Sequence, residues 1–325
     1  MRRAALWIAA SALCGLSTTA LAAEGACESL TPVMAGGPAP AAGDRTTVFR
    51  WFGTANYEMV RDGKVYLLDA YFDRKILTRD IGMKAEQVRK ADAIFIGHAH
   101  YDHMSDAVPI AKRTGAKIYG AAITADVSQK LGLPKDQAVA MKDGDRLKIG
   151  DMSIDAGLAQ HSDINPETAK TMRHVFDLEM PAPTKDEDAQ MEFVRKQGSA
   201  DRDILRNGTL AFAFTFDDGF KVLFLDSAGP VTEGDRKLAE RTGPVDVAIV
   251  AYQGHPVSSR QIAETLPLVK LFRPKLFLPA HHDESYGSFV DLAVEPLFER
   301  IRAEMPGAKF VSPLYRTPVC VPAGK

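Results

Sequence analysis

Three histidines and an aspartate lie within six positions of a chain that contains only eight histidines in all. The segment reads GHAHYDH, and its ligand-type side chains are His98, His100, Asp102 and His103. In extended backbone, residues two apart point to the same side, so His98 and His100 can bind one metal ion together. Asp102 and His103 can reach a second ion beside it. Burying so many polar groups without partners is costly, so the pattern favours a metal centre over simple packing.

Further candidate ligands each follow an apolar run that is typical of a strand. His161 follows SIDAGLAQ, Asp226 follows KVLFL, and His281 follows KLFLPA. In layered α/β folds the strand ends collect at one edge, which would bring these distant residues together. His282 directly follows His281, so the sequence leaves open which of the two is the last ligand.

The elements that must position these residues begin at Thr46, where short apolar strands start to alternate with amphipathic helices. The dipeptide Asp62-Gly63 between YEMV and KVYLLDA predicts a hairpin turn. Helix start and stop signals predict one helix from Ser105 to Gly115 and another that Thr124 caps and that stops at Gly132. The remaining predicted strands of this half are TVFRWF, DAIFIG, KIYGA and a pair within DGDRLKIGDMSIDAGLAQHS.

The second half of the chain repeats the plan of the first. FAFTFDDGFKVLFLDSA (212–228) matches YEMVRDGKVYLLDA (57–70): a strand, an Asp-Gly turn, a second strand and an aspartate. VDVAIVAY and KLFLPAHH are predicted strands, and helices are predicted from Ser258 to Phe272 and from Ser288 to Met305. Two halves with one plan predict two mixed sheets packed face to face with helices outside. The fold class is therefore α/β, as a four-layer αββα sandwich rather than a Rossmann sheet.

HAHYDH has the form H-x-H-x-D-H, and the chain resembles the metallo-β-lactamase fold superfamily from roughly Thr46 to Leu314. RWFGTANYEMV and LFLPAHHDES are most similar to its lactonase and N-acyl-phosphatidylethanolamine phospholipase D branch. Asp69 resembles the early structural aspartate of the family, behind the site. The resemblance implies that His98, His100 and His161 hold a first metal ion, that Asp102, His103 and His281 hold a second, and that Asp226 bridges them.

The resemblance also implies a chemistry. Two divalent ions, zinc before manganese or iron, would activate a bridging hydroxide that the catalytic Asp102 orients. An aspartate in the bridging role is generally lacking in zinc β-lactamases, so Asp226 favours a hydrolase of carboxylic esters, lactones or phosphodiesters. The alternatives are a periplasmic zinc β-lactamase and a metal-binding protein without catalysis. His255, in YQGHP, is a second catalytic candidate that could line the pocket or only pack on Pro256.

Other hydrolase and nucleotide-binding motifs are absent from the sequence. It contains no G-x-S-x-G, S-x-x-K or H-E-x-x-H and no glycine-rich phosphate loop. The formal net charge of −2 gives no electrostatic reason to expect nucleic acid or an acidic membrane surface as a partner. A small-molecule substrate is expected, and nothing in the sequence selects an oligomeric state.

The N-terminus predicts export. MRR precedes an uncharged run that ends in Ala20-Leu21-Ala22, which is typical of a signal peptide over residues 1–22. An uncleaved membrane anchor is the rival interpretation. Residues 23–45 are predicted to be a flexible leader and residues 46–325 the hydrolase domain, with a polar insertion at about 163–207 that is either a lid or a solvated decoration.

Removal of the signal peptide would leave two cysteines, Cys27 and Cys320, one near each end of the mature chain. An even pair in an exported protein predicts a disulfide, with two free thiols as the alternative. A periplasmic or secreted location in a bacterium follows, without stable membrane insertion once the signal is cut.

Overall fold

The structure is a computed structural model and describes residues 25–74, 79–162, 208–252, 258–283 and 293–322. The signal peptide, the polar insertion at 163–207 and His255 lie outside the described residues. Across the described ranges, no helix has both the length and the apolar character that crossing a bilayer requires.

The described strands form two seven-stranded mixed sheets. In each sheet an antiparallel set of four strands continues into a parallel set. Sheet one has the order β14-β1-β2-β3-β4-β5-β6, and sheet two has the order β13-β12-β11-β10-β9-β8-β7. The bounds in sheet one are β1 Thr46–Trp51, β2 Tyr57–Arg61, β3 Lys64–Leu68, β4 Ala93–Phe95, β5 Lys117–Gly120, β6 Ala138–Ala140 and β14 Val319–Pro322. Those in sheet two are β7 Arg146–Ile149, β8 Met152–Leu158, β9 Leu210–Phe216, β10 Lys221–Leu225, β11 Val247–Ala251, β12 Leu276–Ala280 and β13 Lys309–Phe310.

Three apolar layers show how the sheets and helices stack. Between the sheets, the Phe95 ring of sheet one meets Phe212 and Phe214 of sheet two edge-on, with centroids 5.6 and 4.8 Å apart. The outer face of sheet one packs against helices α1 Tyr101–Met104, α2 Ala107–Thr114 and α3 Ala122–Lys130. The outer face of sheet two packs against α4 Glu233–Thr242, α5 Ser258–Phe272 and α6 Glu295–Glu304. The predicted αββα sandwich is confirmed.

The local signals placed most elements correctly. Asp62 and Gly63 both have positive φ (47° and 71°), as a two-residue hairpin turn between right-twisted strands requires. The predicted helix from Ser105 to Gly115 begins at Ala107 after the separate short α1, and it ends at Gly115 in left-handed conformation.

One helix start was predicted wrongly. Thr124 does not cap α3, because the helix begins at Ala122 and the Thr124 side chain is buried against Gly120. Near the C-terminus, α6 begins at Glu295, and the predicted start at Ser288 lies outside the described residues. Its second residue is a proline, which the first turn of a helix accepts because the N–H there has no intrahelical partner.

Residues 25–36, which belong to the predicted leader, pack against sheet one. Ala26 and Met34 are fully buried. The buried ion pair of Arg50 with Glu58 (3.0 Å) fixes this segment, because Arg50 also donates to the Ala26 carbonyl (2.7 Å) and Glu58 accepts from the Met34 N–H (2.6 Å). The contacts with Arg50 and Glu58 involve backbone groups of the segment, which no side-chain pattern in the sequence indicates.

The predicted disulfide is present between Cys27 and Cys320, whose Cα atoms are 5.9 Å apart. Cys320 lies on β14, and β14 pairs with β1 at the edge of sheet one. The bridge therefore ties the N-terminal segment to the last strand of the chain.

Candidate metal centre

The candidate site lies where parallel strands of the two sheets end. Asp69 follows β3, the GHAHYDH segment follows β4, Asp226 follows β10 and His281 follows β12. Parallel strands collect their carboxyl ends at one edge, so the shared position after a strand brings these residues together, as expected.

The first histidine group forms from one segment and one distant residue. His98 Nε2 lies 3.0 Å from His100 Nδ1, so these two nitrogens converge. The His161 ring lies 4.6 and 4.8 Å from the rings of His98 and His100, centroid to centroid. His161 Nδ1 donates to the Ser162 carbonyl at 2.6 Å, which leaves its Nε2 with the free lone pair. The three ligand atoms lie within 4.8 Å of one another, as one metal ion needs.

The second group contains Asp102, His103 and His281. Asp102 Oδ2 lies 3.5 Å from His103 Nε2 and 3.2 Å from His281 Nε2. Behind this group, Asp69 Oδ2 accepts from His103 Nδ1 at 2.7 Å, and Asp69 Oδ1 accepts from the Gly97 N–H at 3.1 Å. A carboxylate on the far nitrogen of a ligating histidine fixes its ring and its tautomer. The position of Asp69 agrees with the structural role expected for it.

Asp226 stands between the two groups. Its Oδ2 lies 2.7 Å from His98 Nδ1 and 3.3 Å from His103 Nδ1, while its buried Oδ1 has no hydrogen-bond partner. Gly97 makes room for it, because a Cβ at that position would lie 2.0 Å from the Asp226 carboxyl carbon. A bound cation would satisfy this buried, unpartnered carboxylate oxygen beside the converging imidazoles. The donor set therefore fits metal ions.

The electrostatics of the first group suit neutral histidine ligands beside buried carboxylates. Burial, and then the neighbouring histidines, lower the pKa of His98 and of His161 well below the ordinary value. Burial raises the pKa of Asp226, and burial together with Asp226 raises that of Asp69. A cation would relieve this crowding of buried carboxylates.

Asp102 and His103 shift in the opposite directions. Burial works against the charged form of both, yet His103 and His281 hold the pKa of Asp102 well below its usual range. Asp102, Asp69 and Asp226 together raise the pKa of His103 well above its usual range. Asp102 is therefore ionised at neutral pH, as a metal ligand or proton acceptor must be.

The structure separates the adjacent histidines that the sequence left open. The His281 ring lies 5.1 Å from that of His103, inside the candidate site. The His282 ring stacks on Trp51 at 4.3 Å, and its Nε2 lies 3.2 Å from Ser312 Oγ. His281, rather than His282, joins the second group because its left-handed backbone (φ 58°) turns the chain between the two residues.

Sequence reasoning overlooked the polar cluster next to His281. Asp283 accepts from the Thr54 N–H at 2.9 Å, from Arg74 Nη1 at 2.8 Å and from the Tyr315 hydroxyl at 2.6 Å. Burial alone would raise the pKa of Asp283, but Arg74 and then His282 lower it. Only the position of Asp283 two residues after a candidate ligand could have indicated it, since Arg74 and Tyr315 come from distant parts of the chain.

The family model of the beta-lactamase superfamily domain matches residues 64–282, which is more than half of the chain. The chain belongs to the metallo-β-lactamase fold superfamily. A curated relative from Anaeromyxobacter sp. (strain K), named a UPF0173 metal-dependent hydrolase, is 27% identical over 276 residues, which cover 82% of this chain and 84% of the relative.

Solved structures share the metallo-β-lactamase fold at low sequence identity. Igni18, described as a novel metallo hydrolase from Ignicoccus hospitalis, superposes with a TM-score of 0.59 at 19% identity, covering 85% of this chain and 98% of that one. An isothiocyanate hydrolase from Delia radicum gut bacteria superposes with a TM-score of 0.55 at 15% identity, covering 84% and 98%. The resemblance to the superfamily that HAHYDH indicates is confirmed by the family model.

Proposed function

We propose that this metal-dependent hydrolase binds two divalent ions, most readily zinc, and cleaves an ester-like bond: a carboxylic ester, a lactone or a phosphodiester. The position of Asp226 carries the proposal. Its Oδ2 contacts one histidine of each ligand group, His98 and His103, and its other oxygen is buried without a partner. A single-ion site would not need two ligand groups that share one carboxylate.

The donor chemistry supports two positions of different character. Three imidazoles would hold one ion, which is a donor set that catalytic zinc sites use while leaving a coordination position open. Asp102, His103 and His281 would hold the other, and Asp226 would serve both. Bound ions would supply Lewis acidity and lower the pKa of water at the site.

The chain's own residues would then handle the proton and the orientation of the reactants. Asp102 is ionised and lies at the edge of the second group, where its carboxylate can orient an attacking water and accept a proton from it. Asp69 keeps the His103 ring in place from behind. Hydrolysis needs no other reactant, because water adds across the ester bond and releases an acid and an alcohol.

An aspartate at the position of Asp226 supports esters and phosphodiesters over β-lactams, as the resemblance implies. Turnover of nitrocefin, a coloured β-lactam, distinguishes the zinc β-lactamase alternative. Metal binding without turnover of any ester, lactone, phosphodiester or β-lactam would favour the non-catalytic alternative. His255 stays a catalytic candidate from the sequence alone, and lower turnover of His255→Ala without loss of metal would support that role.

Export is part of the proposal. The N-terminal run with its Ala20-Leu21-Ala22 ending supports a cleaved signal, and the pairing of Cys27 with Cys320 supports an oxidising compartment. We place the mature protein in the periplasm or outside the cell.

The decisive experiment is the metal content of the purified mature protein per chain, by ICP-MS, beside a substrate screen. Two transition-metal ions per chain, with turnover of at least one ester-like substrate, is the expected result. Asp226→Asn should lower the content and remove turnover, whereas Asp126→Asn, at an exposed position on α3, should change neither. One ion per chain in the unaltered protein would contradict the two-metal proposal.

A further inference from the structure

The backbone of His281 is held in an uncommon conformation by the opposite sheet. Its φ of 58° lies in the left-handed region, which side chains other than glycine rarely adopt. Its N–H donates to the Thr54 carbonyl at 2.6 Å. Thr54 belongs to the turn between β1 and β2, and it too has positive φ (49°). The bond therefore joins sheet one to the end of β12 in sheet two.

Asp283 forms a second hydrogen bond with Thr54. The Thr54 N–H donates to Asp283 Oδ1 at 2.9 Å, so Thr54 is bonded through its carbonyl to His281 and through its N–H to a residue two positions later. The Thr54 carbonyl also accepts from Trp51 Nε1 at 2.9 Å. Both ends of the three-residue segment 281–283 are thus fixed to one residue, Thr54, of the opposite sheet.

Arg74 and Tyr315 fix Asp283 in turn. Both donate to Asp283 Oδ2, at 2.8 and 2.6 Å, and the side chains of Arg74 and Asp283 are only 3% and 4% exposed. Gly53 leaves the space for this contact, because a Cβ there would lie 2.0 Å from Arg74 Nη1. The cluster is charge-assisted and buried, which makes its hydrogen bonds stronger and more directional than exposed ones.

We propose that Asp283, held by Arg74 and Tyr315, is the positioning residue that fixes His281 at the second metal position. This inference rests on the two-metal function proposed above. His281 meets Asp102 only if its backbone keeps the left-handed turn, and the Thr54–Asp283 connection maintains that turn. The contacts of Asp283 with Thr54, Arg74 and Tyr315 reach the second ligand group through the backbone of His281.

The test measures the affinity of each position for Co²⁺ by chelator competition, with the visible absorption of bound Co²⁺ as a spectroscopic signature. Asp283→Asn keeps the shape but weakens the pairing with Arg74. It should lower the affinity of the second position by about 10- to 100-fold, as the loss of an outer-shell partner typically does. The affinity of the three-histidine position should stay unchanged. Tyr315→Phe should act in the same direction by a smaller factor.

Tyr57→Phe is the matched control. Tyr57 also reaches from sheet one to the end of β12, since its buried hydroxyl donates to the Pro279 carbonyl at 2.8 Å. Tyr57→Phe removes the same hydroxyl group as Tyr315→Phe but leaves the Asp283 cluster intact, so both metal affinities should remain as in the unaltered protein.

Two results would overturn the inference. One is an unchanged Co²⁺ affinity of the second position in folded Asp283→Asn. The other is an equal loss of that affinity in Tyr57→Phe and Tyr315→Phe. If Asp283→Asn does not fold, Tyr315→Phe decides: an unchanged second affinity counts against the role of Asp283. Two Co²⁺ per unaltered chain together with unaffected variants would remove only this inference, whereas one Co²⁺ per unaltered chain would remove the two-metal function as well.

Discussion

At the scale of single residues, the candidate site contains several buried carboxylates that have different roles. Asp102 has a lowered pKa because His103 and His281 face it, whereas Asp69 has a raised pKa because burial and Asp226 act in the same direction. The local environment, rather than the residue type, therefore makes Asp102 an ionised group at the edge of the site and Asp69 a structural group behind it.

Asp102→Asn tests the role of the ionised carboxylate. The amide keeps the shape but cannot accept a proton, so turnover should fall by about 10²- to 10⁴-fold while the melting temperature stays close to that of the unaltered protein. Steady-state kinetics and thermal denaturation measure the two effects. Full activity in the variant would remove Asp102 from the mechanism. Asp126→Asn, exposed on α3, is the control.

At the scale of elements, a glycine at the end of β4 decides whether the two halves of the site can meet. Gly97 lies between β4 and His98. Its N–H donates to Asp69, and the absence of a side chain leaves space for the Asp226 carboxyl group. Asp69 and Asp226, which end the repeated strand–turn–strand pattern of the two halves, therefore both lie next to Gly97.

Gly97→Ala should therefore disturb the metal centre. The added Cβ would lie 2.0–2.3 Å from atoms of the Asp226 carboxyl group, and overpacking of this kind costs about 1–3 kcal/mol. We expect a lower melting temperature and fewer bound ions per chain. Gly307→Ala is the control, since a Cβ there meets nothing within 4 Å. Equal behaviour of the two variants would show that Gly97 is not required for close approach.

A second prediction at this scale concerns the start of α4. Thr232 and Asp235 form a reciprocal cap, in which Asp235 Oδ2 accepts from the Thr232 N–H at 2.8 Å and Thr232 Oγ1 accepts from the Asp235 N–H at 2.9 Å. Burial raises the pKa of Asp235 to about 6, against an ordinary value of 3.8. Because the folded state holds this proton more tightly, its contribution to stability is greatest below pH 4 and is lost as the pH rises to 6.

Asp235→Asn cannot titrate, so the unaltered protein should lose about 2 kcal/mol relative to the variant between pH 4 and pH 7. Denaturant unfolding at several pH values measures this difference. A difference that is independent of pH would show that Asp235 has no raised pKa in the folded protein.

At the scale of the whole molecule, three connections hold distant parts of the chain together. Arg61 of β2 pairs with Asp218 of sheet two and lies over the Phe216 and Phe220 rings at 4.8 and 4.7 Å. Asp283 joins the sheets at the site, and the disulfide joins the N-terminal segment to β14 across a sequence separation of 293 residues.

Removal of the disulfide should cost stability without affecting the metal centre. A cross-link across so long a separation restricts the unfolded chain strongly, so Cys27→Ser with Cys320→Ser should lower the free energy of unfolding by about 2–5 kcal/mol. Denaturant unfolding with and without a reductant measures it, and metal content per chain should be unchanged. Equal stability of the two proteins would show that the bridge contributes nothing.

The sequence by itself determined the fold class, most elements and the candidate ligands. Hydrophobic period, turn residues and the H-x-H-x-D-H spacing are local properties, and they carry to the structure unchanged. Three features are visible only in the tertiary structure: the placement of His281 beside His103 while His282 stacks on Trp51, the packing of residues 25–36, and the Asp283–Arg74–Tyr315 cluster. Each depends on contacts between residues far apart in the chain, such as Thr54 with His281 and Arg50 with Ala26. Such contacts join residues that are distant in the sequence, so no local pattern encodes them.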